Sequence, residues 1–152
     1  MTATPAPPEP LLRRARFAEL SPFELYGLCR LRVDVFVVEQ ECPYSELDGR
    51  DAEPATVHVW FEEDGAVLAT IRVLDDGDTR AIGRVATAAS ARGRGFAARL
   101  MEEGIALCGD MPVTLGAQAY LEGWYERFGF RRSGPGYVED GIPHVPMRRE
   151  PA

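Results

Sequence analysis

The stretch of this sequence best equipped for chemistry is Arg92-Gly93-Arg94-Gly95-Phe96-Ala97, which lies between an apolar run and an amphipathic segment. Small residues there let the main chain approach a ligand closely, and the first-turn N–H groups of a helix opening at this point have no partner inside it. The positive end of the helix dipole adds to them, and Arg92 and Arg94 can reinforce the field, so the segment reads as an anion site suited to a diphosphate. Gly93-x-Gly95-x-x-Ala98 also satisfies the dinucleotide fingerprint. Two departures count against a nicotinamide enzyme. Ala88 to Ala91 separate strand from glycines, and Asp110 precedes the next strand, whereas a ribose-binding acid belongs about 20 positions on, near that strand's end.

Other candidate groups are scattered. His58 and His144 with Asp48 and Asp51 are metal-ligating types, but they would have to converge from distant segments, and no metal is expected. Cys29, Cys42 and Cys108 are an odd count without a close pair, so they make no disulfide framework, and Cys29 and Cys108 fall on apolar helix faces as fillers. His58 sits in an alternating strand and reads as structural. All 17 basic residues are arginine, set against 24 acids for a net charge of -7. That argues against a nucleic-acid binder relying on phosphate neutralisation and favours cationic or amine-bearing partners.

The elements that must position the loop follow from patterning. At 152 residues the chain suits one domain, read as 11–152 after a disordered, Pro-rich tail over 1–10. No stretch approaches the ~18 apolar residues of a membrane span and no leader pattern opens the chain, so it reads as cytoplasmic. Arg13 to Leu20 reads as a short edge strand. Ser21-Pro22-Phe23-Glu24 is a capping box opening a helix to about Glu39, whose end is blurred by the β-branched run Val33 to Val38. Gln40 to Pro54 is an acidic loop. Strands over Thr56–Glu62, Ala66–Leu74 and Arg80–Thr87 form an antiparallel meander. A helix over Phe96–Cys108, a strand over Val113–Ala117, a helix over Leu121–Phe128 ended by Gly129, and a hairpin over Tyr137–Met147 complete a mixed α/β sheet.

Two motifs together carry a resemblance. Arg92-x-x-Gly95-x-Ala97 is similar to the [Q/R]-x-x-G-x-[G/A] motif of the Gcn5-related N-acetyltransferase (GNAT) superfamily, and Tyr125-x-x-x-Gly129-Phe130 to its Y-x-x-x-G-F segment. Leu31-Arg32, Val35 to Gln40, Cys42-Pro43-Tyr44, Ile82 to Val85, Leu115 to Gln118 and Glu139 to His144 resemble its ElaA-like branch, covering nearly the whole chain after the tail. The resemblance implies a sheet splayed between the strand ending near Thr87 and the strand Val113–Ala117, with acetyl-CoA in the gap. By that analogy the pantetheine pairs with the backbone of Val85 and Thr87, Arg92, Gly93, Arg94, Gly95, Phe96 and Ala97 cradle the pyrophosphate, and Tyr125 points at the sulfur. Gln118, Glu139 and His144 then belong to the acceptor pocket. Tyr120 stands where related sequences often carry His, and Trp124 where Phe is common.

The implied reaction is direct attack of a primary amine on the thioester in a ternary complex. A Lys-like amine of pKa ~10.4 must lose a proton first, at a cost of about 4.6 kcal/mol at pH 7, so a base or water relay is expected. Glu39, Glu139, Asp140 and His144 are the candidates, with Glu39 placed first because it ends the first helix beside the acidic loop. Glu41, Glu46, Asp48 and Asp51 either guide a cationic acceptor inward or form a solvated face. Tyr125 also reads as a core aromatic. Two further functions stay open: a non-catalytic acyl-CoA-binding module, and an acyl-homoserine-lactone-synthase-like enzyme. The chain is expected as a monomer or homodimer.

Overall fold

The computed structural model describes residues 9–151; the expected tail lies mostly outside them, over residues 1–8. Strand β1 (Leu11–Arg16) starts two residues earlier than patterning suggests and stops sooner. The Arg16 N–H donates to the Glu19 carboxylate (2.8 Å), turning Phe17–Glu19 into a single 3-10 turn. Helix α1 (Pro22–Val33) opens on the expected capping box: Ser21 Oγ accepts from the Glu24 N–H (3.1 Å), and Glu24 Oε1 accepts from the Ser21 N–H (2.8 Å). The helix does reach Glu39, but Asp34–Glu39 is wound as a π-helical turn. Such turns distort the regular ladder and often mark functional sites.

The meander consists of β2 (Val57–Glu63), β3 (Ala66–Asp75) and β4 (Arg80–Thr87), all antiparallel, with β1 on the outer edge of β2. β3 is buried without interruption from Leu68 to Leu74 because α1 packs on one face of the sheet and helix α2 (Phe96–Cys108) on the other. A strand covered on both faces has no reason to alternate, hence its predominantly apolar run, interrupted only by the buried Thr70 and Arg72. On the α2 side the core includes Phe61, Ile71, Leu100, Met101 and Phe130; on the α1 side it centres on Leu31, Val35 and Ala86.

The connection from β4 through α2 to β5 (Val113–Gln118) makes β5 parallel to β4, and the two strands pair only at Arg80 with Val113 and Ala81 with Thr114. Beyond those positions they separate. β5 turns its other edge to β8 (Ile142–Arg149), pairing antiparallel along its full length. Short strands β6 (Arg131–Arg132) and β7 (Tyr137–Glu139) also pair with β8, giving the order β1-β2-β3-β4-β5-β8-β6. The result is the anticipated mixed α/β sheet, a meander joined to a strand-loop-helix-strand unit and open in the middle. The helix anticipated over Leu121–Phe128 is shorter: a 3-10 turn at Ala119–Leu121, then α3 (Glu122–Glu126), with Gly129 at φ +90° beyond it. Among the described residues, no helix is long and apolar enough to cross a membrane.

Candidate active site

Divergence of β4 from β5 opens a cavity of about 760 Å³, lined by both strands, the π-helical turn, α3 and the β7–β8 hairpin. A bulge in β4 shapes its floor. Ile71 of β3 faces both Arg84 and Val85, and Arg84 takes φ +52°. Regular pairing is broken there, and the strand's free edge, at Val85 and Thr87, fronts the cavity.

At one mouth lies the loop. Ala89–Ala91 make a 3-10 turn, Gly93 and Gly95 sit at φ +81° and +79°, and α2 starts at Phe96. A β-carbon at either glycine would meet nothing within 4 Å, so it is left-handed backbone, not crowding, that demands glycine here. The first hydrogen bond of the helix runs from the Arg99 N–H to the Gly95 carbonyl (3.2 Å), and no side chain caps the end. The Phe96, Ala97 and Ala98 amides are therefore without intrahelical acceptors. They face a second, smaller cavity of about 320 Å³, which shares Thr87, Arg92, Ala97 and Trp124 with the first.

The residues expected to cradle a pyrophosphate divide on inspection. Arg92, Gly93, Gly95, Phe96 and Ala97 line the smaller cavity, while Arg94 lies over the Phe96 ring (4.7 Å) and reaches Glu63 (3.5 Å) outside it. Arg127, which the sequence did not suggest, lines it instead. The Arg92 guanidinium grips Glu39 with both terminal nitrogens (2.5 Å each) and also donates to the Thr87 carbonyl. The Arg92 hydrogen bond holds the Glu39 carboxyl below its ordinary value. Glu39 does face the cleft, but as the partner of an arginine.

Tyr125 lies where α3 meets the cavity, its ring edge-on to Trp124 (4.9 Å) and to Phe130 (6.3 Å). Burial, with a smaller contribution from Tyr120, pushes its hydroxyl up to about 12, so it stays protonated across the working pH range. Among the described residues its hydroxyl has no hydrogen-bond partner, and the residue is only 7% exposed. Gln118, Glu139 and His144 line the same cavity. Gln118 lies opposite His144 across the β5–β8 pair, and its amide reaches Gln40 (3.4 Å).

Most acids of the Gln40–Pro54 loop are paired within the protein. Glu46 and Asp51 are buried against Arg32, whose side chain is 2% exposed, with contacts of 2.7 and 2.6 Å. Asp48 and Asp51 also hold Arg72, at 2.6 and 3.2 Å. Arg84 lies 2.7 Å from Glu46 through Nε and 3.4 Å from Asp48, its guanidinium over the Tyr44 ring. Tyr44 Oη in turn donates to Glu46 (2.6 Å). Three arginines are thus matched by three carboxylates, so Glu46, Asp48 and Asp51 are paired within the protein and do not form the solvated face, while Glu41 is exposed. The Arg72 hydrogen bond keeps Asp48 far below the usual carboxylate range. Burial opposes ionisation of Asp51, and the Arg32 hydrogen bond and charge outweigh it, so its carboxyl also stays low. His58 is structural, as read: it is buried, contacts the Asp51 carbonyl (3.1 Å), and is kept neutral chiefly by burial. Among the described residues, no cluster of three metal-ligating side chains occurs. Arg84, Tyr44 and Tyr137 line the cavity without having been singled out for it. The legible signal was an arginine inside apolar patterns, Arg32 on α1 and Arg72 in Ile71-Arg72-Val73, which demands buried acids elsewhere.

A sequence profile described as an acetyltransferase (GNAT) domain matches residues 28–151. The chain belongs to the GNAT family. Among its curated relatives, the UPF0039 protein Rv2851c of Mycobacterium tuberculosis is 48% identical over 143 residues, spanning 91% of this chain and 92% of that protein. Protein ElaA of Escherichia coli is 41% identical over 140 residues, 88% of this chain and 92% of ElaA. A solved acyl-CoA N-acyltransferase from Pseudomonas aeruginosa superposes with a TM-score of 0.89 at 42% identity, over 93% of this chain and 99% of that one. The ElaA-like branch resemblance agrees with these relatives.

Proposed function

We propose that this GNAT chain transfers an acetyl group from acetyl-CoA to a primary amine by direct attack within a ternary complex. The observation carrying this reading is one continuous cleft with a bare helix N-terminus and two arginines at one end, an unpaired Tyr125 hydroxyl within, and a polar pocket of Gln118, Glu139 and His144 at the other. A strand edge free of pairing at Val85 and Thr87 offers main-chain partners to an extended, amide-bearing ligand such as the pantetheine arm. The Gly93–Ala98 amides with Arg92 would then hold the pyrophosphate, and Arg92 would exchange Glu39 for phosphate oxygens.

Attack forms the C–N bond and breaks the C–S bond, leaving a thiolate. A phenol at about 12 gives its proton to a thiolate of pKa ~8.5 only at a cost of about 5 kcal/mol. Tyr125 therefore serves chiefly as a hydrogen-bond donor to the developing negative charge on sulfur, and the thiol takes its proton from the substituted amine or from water. Acetyl-CoA is a cosubstrate in this reading.

The test is thermal shift with acetyl-CoA, CoA and NAD, followed by free-thiol release over a panel containing n-butylamine, putrescine, lysine, an unblocked dipeptide and an aminoglycoside. Stabilisation by both CoA compounds with thiol release from one or more amines is the expected result. Stabilisation without thiol release would indicate a binding module, and stabilisation by NAD alone would return the dinucleotide reading.

A further inference from the structure

Acetyl transfer leaves one task unassigned, removal of a proton from an ammonium acceptor. We infer that His144 performs it, with Nε2 as the accepting atom; the inference rests on the transferase reading above. Nδ1 lies 2.7 Å from the Ile142 carbonyl. A carbonyl only accepts, so Nδ1 carries the hydrogen and donates it, which leaves the lone pair of the neutral ring on Nε2. Nε2 has no partner among the described residues, and His144 lines the cavity that Tyr125 also lines.

The ring is held in place from a second side. Tyr137 of β7 stacks on it, with centroids 5.5 Å apart and planes 16° from parallel. Tyr137 can lie there because residue 116 of β5 is glycine: a β-carbon built at Gly116 would overlap the Tyr137 hydroxyl. The sequence Leu115-Gly116-Ala117-Gln118 thus seats Tyr137, and Tyr137 with Ile142 fixes the imidazole.

The competing carboxylates are worse placed or worse suited. Glu39 is bound by Arg92 on both oxygens. Glu139 and Asp140 are exposed at the hairpin tip, with Asp140 at φ +50° and its carbonyl accepting from Cys42. Passing a proton from an ammonium of pKa ~10.4 to an imidazole is unfavourable by about 10⁴, against about 10⁶ for a carboxylate. Sharing the cavity with His144 are Tyr137, Glu139 and Asp140 of its own hairpin, Tyr44 and Arg84, and the Glu39–Arg92 pair, with neutral Gln118 opposite across the β5–β8 pair. The step balances as follows: R–NH3⁺ gives one proton to Nε2, the resulting R–NH2 attacks the thioester carbonyl, the second nitrogen proton ends on the thiol, and Nε2–H returns its proton to water.

The test is kcat/KM for the most reactive amine of the panel from pH 5.5 to 9.5, in the wild type and His144→Gln, with acetyl-CoA affinity and Tm as fold controls. The wild type should show an acid limb that His144→Gln lacks. His144→Gln should lose about 10²-fold or more near pH 7 with unchanged acetyl-CoA affinity, and the deficit should narrow as rising pH deprotonates the amine directly. A deficit constant at every pH, or none, overturns the assignment. So does a wild-type profile that simply tracks the amine's own titration, which remains decisive if the variant fails to fold. Absence of thiol release from every amine would instead refute the transferase reading, and this inference with it.

Discussion

Replacing Tyr125 with Phe removes one oxygen and little else. The hydroxyl makes no hydrogen bond to protein among the described residues, so no buried donor or acceptor is orphaned, and the ring keeps its edge contacts with Trp124 and Phe130. Stability should hold to within about 0.5 kcal/mol, readable as an unchanged urea midpoint. A donor aimed at developing charge in a water-poor site is worth about 10²–10³ in rate, or about 2.7–4 kcal/mol. We expect kcat to fall ~10²-fold or more while acetyl-CoA affinity stays constant, because the stabilised charge exists only once the C–S bond is breaking. Steady-state thiol release with a saturating amine measures this, with isothermal titration for the cofactor. The hydroxyl stays protonated up to about 12, so the wild-type rate should show no alkaline limb below pH 10 attributable to it. An unchanged kcat would make Tyr125 a packing residue and refute the reasoning; a lower kcat with equally weakened cofactor binding would assign it to binding.

Three further outcomes follow from the packing around the site. Arg32→Ala leaves Glu46 and Asp51 buried without their main partner, which should cost about 3–5 kcal/mol in urea unfolding; a loss under 1 kcal/mol would mean Arg72 and Arg84 compensate. His58 is held below its unfolded value of ~6.5, so its contribution is complete above that pH and is lost as pH falls through the lower folded value; Tm should decline as pH drops from 7 toward 5, and less so in His58→Gln. Asp48 and Asp51 add a second loss below about pH 4 with the same sign. Gly116→Ala should displace Tyr137 and reproduce the pH-dependent part of the His144→Gln defect with acetyl-CoA affinity intact, and wild-type kinetics in this variant would detach Tyr137 from the site.

Local chemistry made much of this fold legible. The capping box at Ser21 and the glycine-rich opening of α2 are decided by residues within a few positions, and both occur as read, whereas α3 stops at Glu126, short of Gly129. The splay of β4 from β5 came with the family motif, and nothing in strand patterning alone reveals it. What escaped depends on partners far apart in the chain. Arg32, Arg72 and Arg84 come from three different elements to neutralise Glu46, Asp48 and Asp51, and that pairing ties down an apparently free acidic loop whose Cys42 and Tyr44 line the cleft. The π-helical winding at Asp34–Glu39 aims Glu39 at Arg92, 53 positions on. The Tyr137–His144 stack depends on the absence of a side chain at Gly116, a property no motif announces.

The measurement bearing most directly on the account is the set of backbone amide chemical shifts on titration with acetyl-CoA and, separately, with acetyl-pantetheine, which lacks the pyrophosphate. Acetyl-CoA should move the Gly93, Gly95, Phe96, Ala97 and Ala98 amides together toward stronger hydrogen bonding, while acetyl-pantetheine should perturb Val85 and Thr87 and leave the loop unmoved. Acetyl-CoA that binds without moving those five amides, or moves them no more than acetyl-pantetheine does, would contradict it.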